Sequence, residues 1–423
     1  MKRIFYLSLS VALMLLLTGC DKLFGGSSST GFTIDYIAFQ EEEDGKWGLM
    51  DLNGNIILQP KFDNQPSSVV NDCFSVYDME EEHYTLYKLT DEGKVEKIGK
   101  YKDVGAFTGK YCPVVDDNKN ISYIDKEGNK VLDLKKIKGK KTIQAYNFFD
   151  GLAMVKLENG KWGYIDENGE TVIPFKYYDA WNFNEGLGIV YLADPDEDGA
   201  KWSVLDTKGE VVFTKKFKEM TPDDFRFIDG LLDVRMPAGD DETKPAIINK
   251  QGEIVKKLKE GCSVTSFHNN YFVVYNYQKE KYSLMNTEGE TIIKDKYSTL
   301  NYNGKILVGA TGGDNDKYYL LTMEGEKIKR LPKGYVVLFD PEYKNYDTRM
   351  LVGKYNEGYV LVDEKGEEVD CKAEIFDYGM GYYWGVNAEE YEDEYDDIDY
   401  GEPEYYDDAM DEEIEEADAE AVG

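Results

Sequence analysis

Apolar and polar residues alternate over short runs along this chain, and turn residues interrupt the runs at regular intervals. The stretch 151–186, GLAMVKLENGKWGYIDENGETVIPFKYYDAWNFNEG, shows the pattern most clearly. An apolar opening run leads to a polar tip, a second run begins at Trp162, a turn occupies 166–169, and a third run covers 171–174. Such alternation with frequent turns predicts β-strands, and no stretch before the C-terminal tail shows the periodicity of a helix.

The unit recurs about nine times between residues 32 and 380, and its most regular mark is a D-x-x-G tetrapeptide. Its glycines are 35 to 43 residues apart and are Gly54, Gly93, Gly128, Gly169, Gly209, Gly252, Gly289, Gly325 and Gly366. Three residues before each glycine stands Asp, Asn or Thr, as at Asp51 and Asp166. An Asp or Asn there accepts hydrogen bonds from the turn backbone, and glycine supplies a positive φ. The series therefore predicts a β-hairpin in each unit.

A large apolar residue precedes each of these glycines by seven positions. It is aromatic in six units, at Trp47, Trp162, Trp202, Tyr282, Tyr318 and Tyr359, and is Leu86, Ile121 or Pro245 in the others. The next residue is small in six units, which lets a neighbouring strand cover the ring face. The residues predicted to be structural in the best units are Trp47, Gly48, Asp51, Gly54, Trp162, Gly163, Asp166, Gly169, Trp202, Asp206 and Gly209.

Three of these segments resemble a known family. GKWGLMD at 45–51, GKWGYID at 160–166 and GAKWSVLD at 199–206 are similar to the bacterial WG-repeat family, also described as KWG-type β repeats. The resemblance covers 32–380, is close in two units, and is reduced to the D-x-x-G frame in the others. It implies a repeat fold and no catalytic motif.

These features predict an all-β array of about nine units, each with three clear strands and one weaker strand. A hairpin pair cannot bury both of its faces alone, so each unit needs its neighbours. Four short strands in ~40 residues match a propeller blade, and a closed ring removes exposed edges. We expect a propeller-like ring or spiral over 32–387, with 380–386 as its closing or capping strand. The alternative is an open twisted β-solenoid, because nine blades exceed the usual four to eight.

The first 19 residues have the pattern of a secretory signal peptide, with Lys2 and Arg3 followed by an apolar run at 4–17. The segment 17–20, Leu-Thr-Gly-Cys, resembles the lipobox of bacterial lipoproteins, which implies cleavage before Cys20 and lipidation of its sulfur; the alternative is a plain secreted protein. Several acyl chains on one residue give stable membrane anchoring. We expect 20–31 to be a flexible tether. The expected location is extracytoplasmic and lipid-anchored in the cell envelope, at the outer membrane or the cell surface, with the leaflet left open.

The charge of the chain is strongly negative, at −34, and residues 388–423 hold 19 Asp or Glu and no Lys or Arg. Residues 20–387 keep a net charge of −17. This balance argues against nucleic acid and favours cations or basic partners. We expect the acidic tail 388–423 to remain disordered. It would dock on a basic partner, hold divalent ions loosely, fold back on the basic loop 135–141, or serve only as a solvated tail.

A second hairpin tip in each unit precedes the Trp strand, and six of these tips are acidic. They cover 41–45, 79–83, 116–120, 194–199, 239–242 and 312–316. In a regular array they would gather on one rim, as a binding surface or as ordinary solvated tips. The tip with the clearest metal-binding pattern is 194–199, which places Asp194, Asp196 and Asp198 around a tight turn. Three carboxylates in this arrangement could supply oxygen ligands for weak Ca²⁺ binding. The loop is an incomplete EF-hand because its twelfth position is Leu205. Calcium is the only cofactor that the sequence suggests.

No catalytic pattern stands out, so we expect no enzyme. His83 and His268 are the only histidines and lie in different units. Carboxylates are abundant, yet nothing singles out one acid with a raised pKa. The four cysteines after Cys20 lack CxxC spacing. Cys73 and Cys112 occupy similar places in consecutive units, which fits either a disulfide or two small buried thiols.

Two functions follow from these observations. The first is a membrane-anchored lipoprotein that binds or scaffolds a protein or an envelope polymer. The second is a glycan-binding or glycan-hydrolysing envelope protein, because the chain has 34 tyrosines and places Trp181 and Trp384 in loop-like segments near carboxylates.

Overall fold

The computed structural model describes residues 35–388 except 91–92, 224, 240–241, 269, 304–305, 313–316, 334, 338–348, 355–357, 364 and 380–384. Over these residues the chain forms 36 strands and no helix. The signal peptide, Cys20 with the tether, and the predicted disordered tail 388–423 apart from Ala388 lie outside the described residues.

The strands follow one another with short connections. In chain order they are β1 Tyr36–Gln40, β2 Trp47–Asp51, β3 Ile56–Phe62, β4 Cys73–Asp78, β5 His83–Leu89, β6 Val95–Tyr101, β7 Asp103–Val104, β8 Cys112–Val115, β9 Ile121–Ile124, β10 Lys130–Asp133, β11 Lys136–Ile137, β12 Lys140–Phe149, β13 Leu152–Leu157, β14 Trp162–Asp166, β15 Thr171–Tyr177, β16 Asp179–Ala180, β17 Leu187–Tyr191, β18 Lys201–Asp206, β19 Val211–Lys216, β20 Thr221–Pro222, β21 Leu231–Gly239, β22 Glu242–Asn249, β23 Ile254–Lys257, β24 Cys262–His268, β25 Tyr271–Asn276, β26 Lys281–Asn286, β27 Thr291–Tyr297, β28 Thr299–Asn303, β29 Ile306–Ala310, β30 Tyr318–Leu321, β31 Lys327–Arg330, β32 Tyr335–Val337, β33 Arg349–Lys354, β34 Gly358–Asp363, β35 Asp377–Gly379 and β36 Gly385–Asn387.

The strands of the described residues form nine antiparallel sheets, one for each predicted unit. By strand order they are sheet 1 (β35-β1-β2-β3), sheet 2 (β4-β5-β6), sheet 3 (β7-β8-β9-β10), sheet 4 (β11-β12-β13-β14-β15, with β36 on β12), sheet 5 (β16-β17-β18-β19), sheet 6 (β20-β21-β22-β23), sheet 7 (β24-β25-β26-β27), sheet 8 (β28-β29-β30-β31) and sheet 9 (β32-β33-β34). Sheet 5 is typical: every residue of β17 is buried, whereas β19 is the exposed outer edge.

The core is divided into clusters, and each joins two consecutive sheets. Between sheets 1 and 2, for example, Trp47 and Leu49 pack with Phe74. Buried polar ring atoms also bond to the next sheet. The Tyr164 hydroxyl donates to the Trp181 carbonyl at 2.7 Å, and Trp202 Nε1 donates to the Met220 carbonyl at 2.7 Å. Each sheet therefore buries its faces against its two neighbours, as a repeat architecture requires.

The ring is closed, because sheet 9 packs on sheet 1. One core cluster contains Ile37 and Phe39 of sheet 1 together with Leu361 of sheet 9. In addition β35, which follows sheet 9 in the chain, pairs with β1 from Ala38 to Gln40. The prediction of a propeller-like ring of about nine units is confirmed, and the open solenoid is not the fold.

The closing strand differs from the prediction. Residues 380–386 are predicted to be a closing or capping strand, but β35, which ends at Gly379, closes the ring earlier in the chain. Of the predicted strand, residues 380–384 lie outside the described part of the chain. Val386 belongs instead to β36, which pairs with β12 of sheet 4. Val386 and Ala388 are buried in the core cluster between sheets 3 and 4. The sequence did not reveal β35 because the strand at this position of a sheet is very short. It has three residues in β35 and two in β16, too few to show an alternating pattern.

Candidate binding surface

The tryptophan–glycine pair of the repeat is a packing device. Trp162 is buried, with 6% of its surface exposed. A Cβ on Gly163 would lie 2.8 Å from the Ile173 carbonyl oxygen and 2.9 Å from the Phe175 ring. Strand β15 shifts register beside this pair, so its backbone approaches closely. A side chain on Gly163 would therefore push β15, the fourth strand of the unit, away from the Trp162 side chain.

The same relationship holds in sheet 1, and sheet 5 shows a variant. A Cβ on Gly48 would lie 2.6 Å from the Leu58 carbonyl oxygen, and Trp47 is buried. In sheet 5 Trp202 is fully buried and is followed by Ser203. The Ser203 hydroxyl lies 2.7 Å from that of Thr214 on the fourth strand, which accounts for the small polar residue.

The D-x-x-G turn also contacts the neighbouring sheet. Asp166 Oδ1 accepts hydrogen bonds from the backbone N–H groups of Asn168 and Glu170, both at 2.9 Å, and Gly169 has φ +81°. Asp51 and Asp206 accept the equivalent bonds in turns that end at Gly54 and Gly209. A Cβ on each turn glycine would lie within 3.3 Å of the preceding sheet's outer region: Gly93 near Ile57, Gly128 near Ile98, Gly169 near Leu132, Gly209 near Ile173, Gly252 near Phe213, Gly289 near Lys256, Gly325 near Ile293, Gly366 near Lys329 and Gly54 near Cys371.

The acidic tips lie at the opposite end of the sheets from the D-x-x-G turns, because the tips precede the Trp strand and the turns follow it. Contacts between neighbouring sheets bring tips together. His83 Nε2 lies 2.7 Å from Asp117 Oδ1, which joins the tips of sheets 2 and 3. The Tyr178 hydroxyl donates to Asp194 Oδ2 at 2.7 Å, and the Lys161 ammonium lies over the Tyr178 ring, which joins sheets 4 and 5. We define the tip rim as the described tips 41–45, 79–83, 116–120, 157–160, 194–199 and 277–280.

Apolar side chains are exposed on or beside this rim. Met79 is 72% exposed and Tyr277 57%, while Tyr178 and Leu192 are 40% and 42% exposed. The exposed glutamates 80–82 directly follow Met79, and the tip of the neighbouring sheet 1 contains the exposed glutamates 41–43. Exposed apolar groups bordered by charges are typical of a protein-contact surface. The tips at 239–242 and 312–316 contain residues outside the described part of the chain.

Comparison with known proteins agrees with this geometry. A family model described as "WG containing repeat" matches residues 47–64, 121–162 and 162–192. Each stretch begins at the large apolar position of the repeat, at Trp47, Ile121 or Trp162, and includes the fourth strand that follows it. The chain contains WG repeats. A search of curated proteins gives no match to its sequence.

Two solved structures are similar to this WG-repeat protein at low sequence identity. A crystal structure of a eukaryotic initiation factor shares 12% identity over 84% of this chain and 98% of that chain, with a TM-score of 0.54. BamB from Moraxella catarrhalis shares 13% identity over 72% of this chain and 86% of that chain, with a TM-score of 0.31. The initiation factor shows a similar fold, and at this identity the likeness says nothing about function.

In the predicted calcium loop of the WG-repeat protein, the carboxylate of Asp194 already accepts hydrogen bonds. Asp194 accepts hydrogen bonds from the Tyr178 hydroxyl and from the Asp196 backbone N–H at 3.1 Å. Asp198 is exposed in the same loop. Within the described ranges, no group of three or more Asp, Glu, His or Cys residues is placed to hold a metal ion. Calcium binding there stays a prediction.

One partly buried carboxyl, missed by sequence reasoning, holds strand β36. Asp103, the first residue of β7, accepts hydrogen bonds from the Val104 and Asn387 backbone N–H groups at 2.8 and 2.9 Å. Burial raises the pKa of Asp103 to about 6, and those hydrogen bonds only partly oppose it. The matching Asp179 of β16 also has a raised pKa because of burial. Nothing in the local sequence marks Asp103, since its burial depends on β36, more than 280 residues away.

The cysteines that the structure describes are free thiols. Cys73 and Cys112 are buried in one cluster between sheets 2 and 3. Burial raises the pKa of the Cys73 thiol to about 12 and that of Cys112 well above its ordinary value. They pack as small hydrophobic residues.

Trp181, one of the two rings predicted to stack on sugars, packs against another side chain. Trp181 stacks on Phe225 with ring centroids 4.2 Å apart and an interplanar angle of 6°. Trp384 lies outside the described residues. Within the described residues, no helix is long and apolar enough to cross a membrane.

Proposed function

We propose that this WG-repeat protein is an extracytoplasmic lipoprotein whose ring is a binding or scaffolding module for a protein or an envelope polymer. The observation that carries the proposal is the tip rim, where exposed Met79 is followed by three exposed glutamates and Tyr277 is exposed on another tip. The opposite end of the sheets is used by D-x-x-G turns that pack on the preceding sheet. The tip rim is therefore the end at which sequence can vary without loss of the ring.

The chemistry of the rim favours a partner with basic groups. Residues 41–43 and 80–82 supply six exposed glutamates on two consecutive sheets. A partner that brings Lys or Arg to this surface gains charge-assisted contacts, and Met79 supplies an apolar anchor. Such a surface accelerates association at low salt more than it raises affinity.

Charge-matched variants test the rim. In the tip variant, the glutamates of 41–43 and 80–82 become glutamine. In the control variant, the same change is made to six exposed glutamates at the D-x-x-G end: Glu127, Glu210, Glu288, Glu290, Glu324 and Glu326. Each protein is used to capture partners from solubilised envelope, and bound proteins and polymers are quantified. We expect loss of one or more partners with the tip variant alone. Equal capture by both variants would count against the rim.

The anchor is tested separately. It rests on the segment 17–20, in which Cys20 follows Leu-Thr-Gly. Metabolic labelling with an alkyne fatty acid should label the wild type and the Cys371→Ala control, and not Cys20→Ala. Failure of labelling would remove the lipoprotein and leave the binding surface untouched. The glycan alternative has weaker support, because Trp181 is covered by Phe225.

A further inference from the structure

Sheet 4 has an extra short hairpin, made by β11 and the start of β12, whereas none of the other described sheets has more than four strands. Strand β11 and the start of β12 pair as Lys136 opposite Lys141 and Ile137 opposite Lys140. Lys138 and Gly139 form the turn, with φ +51° and +82°, the signs of a tight type I′ turn. A Cβ on Gly139 would meet nothing within 4 Å, so the turn projects into open space. We name residues 135–141 the lysine hairpin.

The lysine hairpin holds five positive charges that the protein leaves unneutralised. Lys135, Lys136, Lys138, Lys140 and Lys141 are all exposed. Among the residues that the structure describes, none of their ammonium groups forms an ion pair, although the chain has a net charge of −34. Like charges directly opposite each other, as at Lys136 and Lys141, destabilise a strand pair. The free hairpin therefore carries a repulsion that a bound anion would relieve.

The base of the hairpin is held firmly. Ile137 packs on the core cluster between sheets 3 and 4, and Thr142 is 1% exposed. The Glu158 backbone N–H donates to the Lys141 carbonyl at 2.9 Å, which ties the hairpin to the tip of sheet 4. The five charges are thus presented on a fixed support, which lowers the entropic cost of binding.

The surroundings of the hairpin select the kind of anion. Exposed Glu158 lies at its base, and the neighbouring tip of sheet 3 contains Asp116 and Asp117. A flat anionic membrane or a long uniform polyanion would meet these carboxylates as well as the lysines. A short extended chain can reach the lysines alone. Strand β11 ends the strand order of sheet 4 in the described residues, so its outer backbone edge can pair with such a chain.

We propose that the lysine hairpin binds an extended acidic segment of a partner protein. Its ammonium groups face the carboxylates, and the edge of β11 pairs with the backbone of the segment. The tip rim and the lysine hairpin then give one ring two contact points of opposite charge, which suits a protein that bridges partners.

The test uses a fluorescent peptide of about twelve glutamates and the purified full chain, with binding followed by anisotropy at low and moderate salt. In the hairpin variant, all five lysines become glutamine. The control variant makes the same five-charge change at exposed lysines elsewhere: Lys201, Lys208, Lys218, Lys257 and Lys259. We expect the Kd to rise about tenfold or more for the hairpin variant and less than about twofold for the control. Melting curves establish that both variants are folded.

Two further arms make the result decisive. A chain ending at Ala388, with 19 fewer carboxylates, repeats the comparison at another net charge, and the hairpin-specific loss is expected there as well. Vesicles containing phosphatidylglycerol are offered as competitors. Equal weakening in both variants, absence of binding in every chain, or displacement of the peptide by the vesicles would each overturn the proposal.

Discussion

Gly54 of sheet 1 lies against Cys371, which follows sheet 9: a Cβ at Gly54 would be 2.7 Å from the Cys371 Cα. The Lys372 backbone N–H also donates to the Gly54 carbonyl at 2.8 Å. In each of the other units the turn glycine contacts the preceding sheet. Gly54 makes the equivalent contact between the first and last sheets, and so joins the two ends of the array.

We expect Gly54→Ala to destabilise the protein more than Gly160→Ala. Both glycines have positive φ, at +81° and +74°, so both variants strain the backbone by about 1–2 kcal/mol. Only Gly54 has a neighbour in the way, since nothing lies within 4 Å of a Cβ at Gly160. The clash should add about 1–3 kcal/mol. Urea denaturation of the two variants measures the difference, and equal losses would show that the closure tolerates a side chain.

Stability should fall as the pH rises through the titration of Asp103. Its pKa is raised from 3.8 to about 6 by burial, so the folded chain binds this proton more tightly than the unfolded chain. The resulting stabilisation is complete below pH 3.8 and is lost as the pH passes about 6, a change on the order of 2–3 kcal/mol.

Asp103→Asn tests this expectation, because asparagine stays neutral at every pH. Val104 bonds to Oδ1 and Asn387 to Oδ2, so the single carbonyl oxygen of asparagine keeps one of the two bonds and the variant is less stable at all pH values, but the pH slope is the quantity compared. The unfolding free energy, measured by denaturant between pH 4 and 7.5, should lose part of its slope in this variant. Asp179→Asn should remove a further part, since burial also raises the pKa of Asp179. An unchanged slope in Asp103→Asn would contradict the assignment.

Calcium binding at 194–198, if it occurs, competes with Tyr178. A calcium ion on Asp194 must displace the Tyr178 hydroxyl, which lies 2.7 Å from Oδ2. We expect weak binding, in the millimolar class, to be strengthened by Tyr178→Phe and abolished by Asp194→Ala with Asp198→Ala. Isothermal titration compares the three proteins. Identical heats in all of them would end the calcium prediction.

Strand β36 should contribute measurably to stability. Val386 and Ala388 are 3% and 4% exposed in the cluster between sheets 3 and 4. Relative to a chain ending at Ala388, a chain ending at Gly379 should lose about 2–4 kcal/mol, because a buried valine and three backbone pairings are removed. Val386→Asp in the full chain is expected to act in the same direction. Unchanged melting of both would show that β36 is dispensable.

The periodic part of this fold could be predicted from sequence. Asp166 and Gly169 form a local turn whose hydrogen bonds stay within four residues, so the pattern is visible in one unit and repeated in the others. Counting these turns gives the number of units. Because each tip comes before the third strand of its unit and each turn comes after it, all the tips lie at one end of the sheets. The tip rim was therefore within reach of sequence reasoning.

The rest depends on contacts between distant residues. The closing strand Asp377–Gly379 is too short to show alternation, and its partner β1 lies at the other end of the array. The stacking of Trp181 on Phe225 is decided by the next sheet, which is why Trp181 resembled a free loop ring. The lysines of 135–141 were visible as a basic loop, but their fixed support by Ile137 and Glu158 required the structure.

Closure at Gly54 and β35 also limits how this protein can evolve. Tandem repeats readily gain or lose copies by recombination between similar segments, and an open array tolerates this because its end units merely move apart. A ring that returns its last strand to its first sheet cannot absorb an extra unit without changing the angle between all nine sheets. A change in a tip or in the lysine hairpin leaves these angles as they are, so we expect such changes to be tolerated more readily than a change in the number of units.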